Sequence, residues 1–253
     1  MVSCLAFTAC ATTRGFVRPT GATTPLTDHA GAWQAATAEC RGVQSYRGDL
    51  RLSGKVAGER IRSVTLGLAV DATGRLGFET QVMGSSIFRL GGTTANATLL
   101  LRADNRVVRG PAGEIVEALI GVRLDPARLL AVLAGCVATS LDATAAERLG
   151  AFVQVTLPDA TVFLSDDGRG WRPRAGTFEQ LLVDYQRIEA GYPHQILITS
   201  EPGRSPSVSL SIAVRSLDIN PVFTGAEFHV TPPDGAIPIS LDELRAAGPL
   251  GGK

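Results

Sequence analysis

Few side chains in this sequence combine the types and spacings that chemistry requires. The three histidines, His29, His194 and His229, fall in separate segments with no mutual spacing that would bring them to one metal ion. Asp166 and Asp167 are adjacent carboxylates, as general acid–base work needs, but Gly168 follows at once and makes a hairpin turn their expected use. Trp171, just beyond that turn, reads as a strand aromatic packed on its neighbours, with ligand contact as the alternative. No HExxH, CxxC, phosphate loop, dinucleotide fingerprint or GxSxG elbow occurs. No catalytic residue, metal ligand or cofactor is assigned, and an enzyme is not expected.

Sulfur is the more informative chemistry. Of the four cysteines, Cys10 ends the run Phe7-Thr8-Ala9-Cys10, a pattern like the lipobox at which exported proteins are lipidated. Phe7 stands where leucine is usual and no Lys or Arg precedes the apolar run, so residues 1–10 are expected to be the last part of a longer signal. The alternative is a frayed N-terminus with a chance cysteine. With Cys4 removed in the signal and Cys10 lipidated, Cys40 and Cys136 remain as an even pair. They either bridge or stay as two buried thiols. A bridge closing about a hundred residues contributes on the order of 4 to 5 kcal/mol by loop entropy.

Charge excludes one class of partner. The chain has 24 basic and 24 acidic side chains, and Lys55 and Lys253 are its only lysines. Without a dense basic run it lacks the phosphate-neutralising footprint of a nucleic-acid binder. No stretch approaches the roughly 20 apolar residues of a membrane-spanning helix.

The elements that would position any site are mostly strands. Val64, Leu66, Leu68 and Val70 alternate with Thr65, Gly67 and Ala69, and Val208, Leu210, Ile212 and Val214 repeat the pattern. Similar runs at 50–52, 76–78, 88–90, 99–101, 153–157, 162–164, 181–185 and 196–198 are separated by turn signals such as Asp71-Ala72-Thr73-Gly74. After Val214 the apolar phase slips by one, which predicts a β-bulge near Arg215. One segment breaks the pattern. Ile115, Val116, Leu119 and Ile120 share a helical face, Gly121 stops it, and Asp125-Pro126 opens a second helix carrying Leu129, Leu130 and Leu133. Gly135 ends that helix beside Cys136. Ser240 to Glu243 spells a capping box for a last short helix, stopped by Gly248-Pro249.

The expected fold is therefore mainly β with helices (α+β): an unclosed antiparallel half-barrel of about ten or eleven strands whose apolar concavity is covered by a two-helix lid or plug at 111–136. The domain plan is residues 1–10 as signal, 11–32 as a flexible Thr/Gly/Pro-rich tether, 33–230 as the half-barrel, and 231–253 as a Pro/Gly-rich tail with a short helix.

The order of these features resembles the bacterial lipoprotein-localisation superfamily of LolA-like carriers and LolB-like receptors. The resemblance covers about residues 33–230. It rests on the helix-like Trp33 to Cys40 leading into YRGDLRLSGKV, on RIRSVTLGLAV and GRLGFETQV, on GEIVEALIGVRLDPARLLAVLAGC, and on the hairpin around DDGRGW. It implies an open barrel, a helical lid and an acyl-chain cavity that binds without catalysis. It also implies a monomer with no cofactor, held periplasm-facing on the outer membrane through a lipidated Cys10, since Ala11 lacks an inner-membrane retention signal. By parity and size the expected ligand-lining residues are Leu66, Leu68, Phe78, Phe88, Leu119, Leu129 and Leu133. A hydrophobic ligand would gain roughly 0.8 kcal/mol per buried methylene. The alternative is a non-catalytic structural or interaction module of the envelope, with a filled core and a protein partner at an edge strand.

Overall fold

Period-two alternation becomes strand nearly everywhere it occurs. A computed structural model describes residues 15–82, 85–140 and 142–247. In chain order they form β1 (Thr24–Pro25), α1 (His29–Arg41), β2 (Ser45–Val56), β3 (Glu59–Asp71), β4 (Arg75–Val82), β5 (Ser85–Thr93), β6 (Ala97–Leu101) and β7 (Arg106–Gly110). Then come α2 (Ala112–Ile120), α3 (Pro126–Ala134), β8 (Ala145–Leu149), β9 (Phe152–Thr156), β10 (Thr161–Asp166) and β11 (Trp171–Phe178). The last are β12 (Leu181–Glu189), β13 (Tyr192–Ser200), β14 (Val208–Ile219), β15 (Ile237–Pro238) and α4 (Leu241–Ala246), with a 3-10 turn at Ala226–Phe228.

All fifteen strands belong to one sheet, ordered β1-β8-β9-β10-β11-β12-β13-β14-β2-β3-β4-β5-β6-β7-β15. Every pairing is antiparallel except β15 on β7, and the two ends do not meet. The sheet is the expected unclosed half-barrel, with more strands than the ten or eleven expected. Two of the extra strands have only two residues each. Strands β7 (RVVRG) and β8 (AAERL) lack the clean alternation that signals a strand in isolation. At the predicted bulge the register of β14 on β2 shifts between Val214 and Ser216, skipping Arg215.

Topology puts the helices in the mouth of the half-barrel. Two antiparallel meanders, β2 to β7 and β8 to β14, join where β14 pairs with β2, so β7 and β8 lie near opposite edges. The chain must cross the whole concavity between them, and α2 and α3 make that crossing. Their apolar stripes join the inward-facing strand residues in one core cluster.

Both ends of the described residues wrap an edge. Residues 15–28 carry the composition expected of a tether but lie along the sheet. Phe16 packs on Phe152 and Phe163 with ring centroids 5.6 and 5.1 Å away, and its N–H donates to Asp184 Oδ2 at 2.8 Å. Arg18 pairs with Glu201 at 2.5 Å, β1 pairs with the edge strand β8, and α1 then packs on α3, β11 and β8. Helix α1 begins at His29, ahead of the Trp33 expected to open the domain, because Asp28 caps it by accepting from the Gly31 N–H.

At the other end residues 225–230 cross the outer face of the sheet. A Cβ at Gly77 would strike the Glu227 carbonyl oxygen and one at Gly91 the Phe228 carbonyl, so glycine permits the crossing. β15 then pairs with β7, and α4 turns round the edge to pack on α2 and β7. The predicted capping box is formed: Ser240 Oγ accepts from the Glu243 N–H, and Glu243 accepts from the Ser240 N–H at 2.8 Å. Cys10, the remainder of 1–14 and Gly248-Pro249 lie outside the described residues.

Candidate functional site

Local chemistry dictates where the two lid helices begin and end. Helix α2 starts after Pro111 and stops at Gly121, whose φ of 71° closes the helix in the left-handed region. Asp125 caps α3 by accepting from the Arg128 N–H at 2.8 Å, Pro126 occupies the first turn, and Gly135 ends it at φ 94°. Between α2 and the sheet lies a void of about 50 Å3, walled by hydrocarbon side chains alone.

Five of the seven predicted lining residues meet at this void: Leu66 on β3, Phe78 on β4, Phe88 on β5, Leu119 on α2 and Leu129 on α3. Leu68 and Leu133 point into the core and are buried, but do not border the void. Sequence reasoning missed Leu50 and Leu52 on β2, Ile212 on β14, Val116 and Ile120 on α2, and Leu124 in the linker. The parity of β2 and β14 was legible; that those strands are the sheet's centre, directly beneath the helices, was not.

The void exceeds the roughly 10 to 15 Å3 that admits one water on the same measure, but its walls offer that water no polar partner. Leaving such a space unfilled costs about 1 kcal/mol at the usual penalty per unit of cavity volume.

The two helices are held very differently. Helix α3 is fastened at several points. Cys136, just past its end, is disulfide-bonded to Cys40 of α1, with Cα atoms 5.6 Å apart. Arg128 Nη2 lies 2.8 Å from Asp159 Oδ2, its Nη1 donates to the Val137 carbonyl at 3.0 Å, and its guanidinium sits 4.6 Å from the centre of the Phe178 ring. The buried Tyr185 hydroxyl donates to the Val132 carbonyl at 2.9 Å, and burial raises the Tyr185 pKa well above its ordinary value. Burial would raise the Asp159 carboxyl, but hydrogen bonds from Thr139 and the charge of Arg128 outweigh it and hold the group below the usual carboxylate range.

No spacing in the sequence could have singled out Arg128 and Asp159, because the pair is made across the fold. Helix α2 has no side-chain cap, and its one ion pair, Glu114 with Arg123, is 3.8 Å long and largely exposed. Its Ala112 N–H donates to the Thr94 carbonyl at 3.0 Å, and the rest of the helix packs on β6, β7 and α4.

A concavity of about 560 Å3 lies on the opposite, convex face. Gly67, Ala69 and Gly77 floor it, and Arg47, Glu227, Asp49 and Arg89 line it. Arg47 pairs with Glu227 at 2.9 Å, Asp49 accepts from the Ser216 hydroxyl, and Arg89 donates to the Ala226 carbonyl. It is an open trough in which each of these four charged groups already has a partner within the protein.

The remaining chemistry-bearing residues serve structure. Asp166 accepts from the Gly168 N–H and Asp167 from the Arg169 N–H, which makes the hairpin turn expected of them. Trp171 begins β11 beneath the Arg148 guanidinium. His29, His194 and His229 lie at the start of α1, in β13 and after the 3-10 turn. Among the described residues no three His, Cys, Asp or Glu side chains gather as metal ligands, and no helix is long and apolar enough to cross a membrane.

No protein-family model matches the chain, and no curated protein matches it. Solved structures similar to it include a LolA superfamily protein from Nitrosomonas europaea, 8% identical with a TM-score of 0.49 over 81% of this chain and 99% of that one. A DUF1329 family protein from Desulfovibrio piger is 10% identical with a TM-score of 0.48, over 80% of this chain and 98% of that one. The likeness is one of fold; at these identities and TM-scores it carries nothing about ligand or role.

Proposed function

We propose that this protein binds a hydrophobic ligand, an acyl chain or a molecule of similar character, between α2 and the concave face of its half-barrel. The supporting observation is the apolar void beneath α2, bordered by Leu66, Phe78, Phe88, Leu119 and Leu129 without a polar atom. Protein interiors close-pack, so a gap under a helix tied to the sheet by a single backbone hydrogen bond, Ala112 N–H to the Thr94 carbonyl, and otherwise by packing is where a chain can open with least disruption. The void is far smaller than an acyl chain, so binding requires α2 to move. Each methylene that replaces void or displaced side chain then contributes roughly 0.8 kcal/mol. Leu68 and Leu133 would serve as the packed wall behind the ligand.

The proposed setting is the periplasmic side of the outer membrane, with the chain anchored through a lipidated Cys10 and working in lipoprotein sorting or envelope lipid handling. With Phe16 docked on the sheet, six residue steps separate Cys10 from the body, a reach of roughly 20 Å. Such an anchor would hold the body against the bilayer surface. The test uses purified residues 11–253 incubated with envelope lipid extract: retained lipid in native mass spectrometry, and displacement of a fluorescent fatty acid, are expected. Neither being observed at micromolar protein would overturn the binding reading.

A second reading, a non-catalytic interaction module with a protein partner, is favoured by the small volume of the void. Its expected result is a partner captured by envelope crosslinking together with no bound lipid.

A further inference from the structure

The fastenings of the lid are unequal, and the inequality is spatially ordered. Helix α3 is held by a disulfide, the Arg128–Asp159 pair and the Tyr185 hydroxyl, all supplied by the body or by α1. The void borders Val116, Leu119 and Ile120 of α2 but only Leu129 of α3. On its far side α2 is packed by α4, a six-residue helix from the end of the described chain.

Helix α4 is itself lightly held. Leu244 is its one buried residue, Leu241 leans on the core beside Gly110, and the adjoining strand β15 has two residues, with Ile237 57% exposed. So short a helix cannot persist alone, and its capping box supplies only part of what docking provides. Helix α2 meanwhile is bounded by Pro111 and Gly121, and its first N–H, that of Ala112, donates to the Thr94 carbonyl at 3.0 Å, which pins that end as the pivot. Pro111 is in extended conformation and Gly121 is in the left-handed region, where a Cβ would strike Val56.

We propose that α4 is the latch of the hydrophobic site: its docking on α2 keeps the void closed, and its release lets α2 swing about its pinned Pro111 end and flex at Gly121 while α3 stays in place. Opening is then one-sided. A ligand passes between α2 and the β4 to β7 side of the sheet, and the disulfide side serves as the fixed jaw. This rests on the hydrophobic-ligand reading for its purpose, but the latch itself is a property of the unliganded protein and is tested without ligand.

The experiment is amide hydrogen exchange on the full chain and its Leu244→Ala variant, followed in peptides covering 112–120 and 126–134. The latch predicts that exchange of 112–120 rises about tenfold or more while 126–134 changes less than about twofold. Thermal unfolding verifies that the variant is folded. If it is not, Ser240→Ala, which removes only the capping hydroxyl, carries the same comparison with an expected rise of about fivefold in 112–120.

No change in 112–120, or an equal rise in both peptides, overturns the latch. Uptake of a fluorescent fatty acid is then timed on the same proteins. Faster uptake in the variant, matching the exchange result, supports latch and ligand site together. Selective exchange in 112–120 with no uptake by either protein upholds the latch and overturns the ligand reading.

Discussion

The two free edges of the sheet solve the same problem with different hardware. A row of unpaired backbone groups at a sheet edge invites association with another strand. At β8 the N-terminal segment supplies the two-residue strand β1 and sends α1 inward to a covalent bond with the end of α3. At β7 the C-terminal segment supplies the two-residue strand β15 and sends α4 inward to pack on α2 with no covalent bond. Both edges are covered, yet only the first is locked. The difference divides the lid into a fixed half and a movable half, although α2 and α3 are adjacent in sequence and equal in length.

The largest effect should come from unlocking the fixed edge. Replacing both Cys40 and Cys136 by alanine opens a bridge with a sequence separation of 96 and is expected to lower stability on the order of 4 kcal/mol in denaturant titration. Helix α3 should then exchange amide hydrogens as readily as α2. A loss below about 1 kcal/mol would place the lock elsewhere.

Arg128→Gln removes the ion pair from α3 and leaves the half-buried Asp159 facing no cation. A destabilisation of about 2 kcal/mol is expected, confined in hydrogen exchange to the start of α3 and the β9–β10 turn. Phe16→Ala empties the aromatic notch between Phe152 and Phe163 and should cost about 1 to 2 kcal/mol. Limited proteolysis would then cut within residues 17–28 while α4 stays protected. Cutting near α4 instead would mean the two clasps are coupled.

The smallest effect is on pH. The Asp159 carboxyl is held below its ordinary value in the folded protein, so its contribution is fully present well above the unfolded value of about 3.9. It is lost as pH falls from there through the lower folded pKa. Acid should therefore loosen α3 below about pH 4 and leave the lid unchanged at neutral pH. Asp159→Asn should flatten stability against pH in that window, measured by thermal unfolding between pH 2 and 6. An unchanged slope would assign the acid sensitivity to another carboxylate such as Asp71, which is also held low: burial would raise it, but hydrogen bonds from Thr73 and Arg75 outweigh that.

Much of this molecule could be read from its residues in isolation. Asp125-Pro126, Gly121 and Gly135 delimit the lid helices because capping is settled within a turn of chain. The alternation at 64–70 and 208–214, with its slip at Arg215, gives both the faces and the bulge, since side-chain parity is a local property of a strand. The edge strands were not legible: two residues of pairing have no period to detect, and Thr/Gly/Pro composition reads alike whether a segment is tethered or laid on a surface. Five of the seven residues named by inward parity border the void, while Leu68 and Leu133 share that parity and are buried away from it.

By itself, then, the sequence determined what is near in the chain: which residues turn inward, and where helices start and stop. Tertiary structure alone decided that β14 pairs with β2, which sends α2 and α3 across the concavity, and that one helix is covalently tied to the body while the other is not. The physical reason is range. Capping and parity act within one turn or one strand, whereas a volume of about 50 Å3 beneath a helix is the small remainder of many long-range packing contacts, and no single one of them is written in a local pattern.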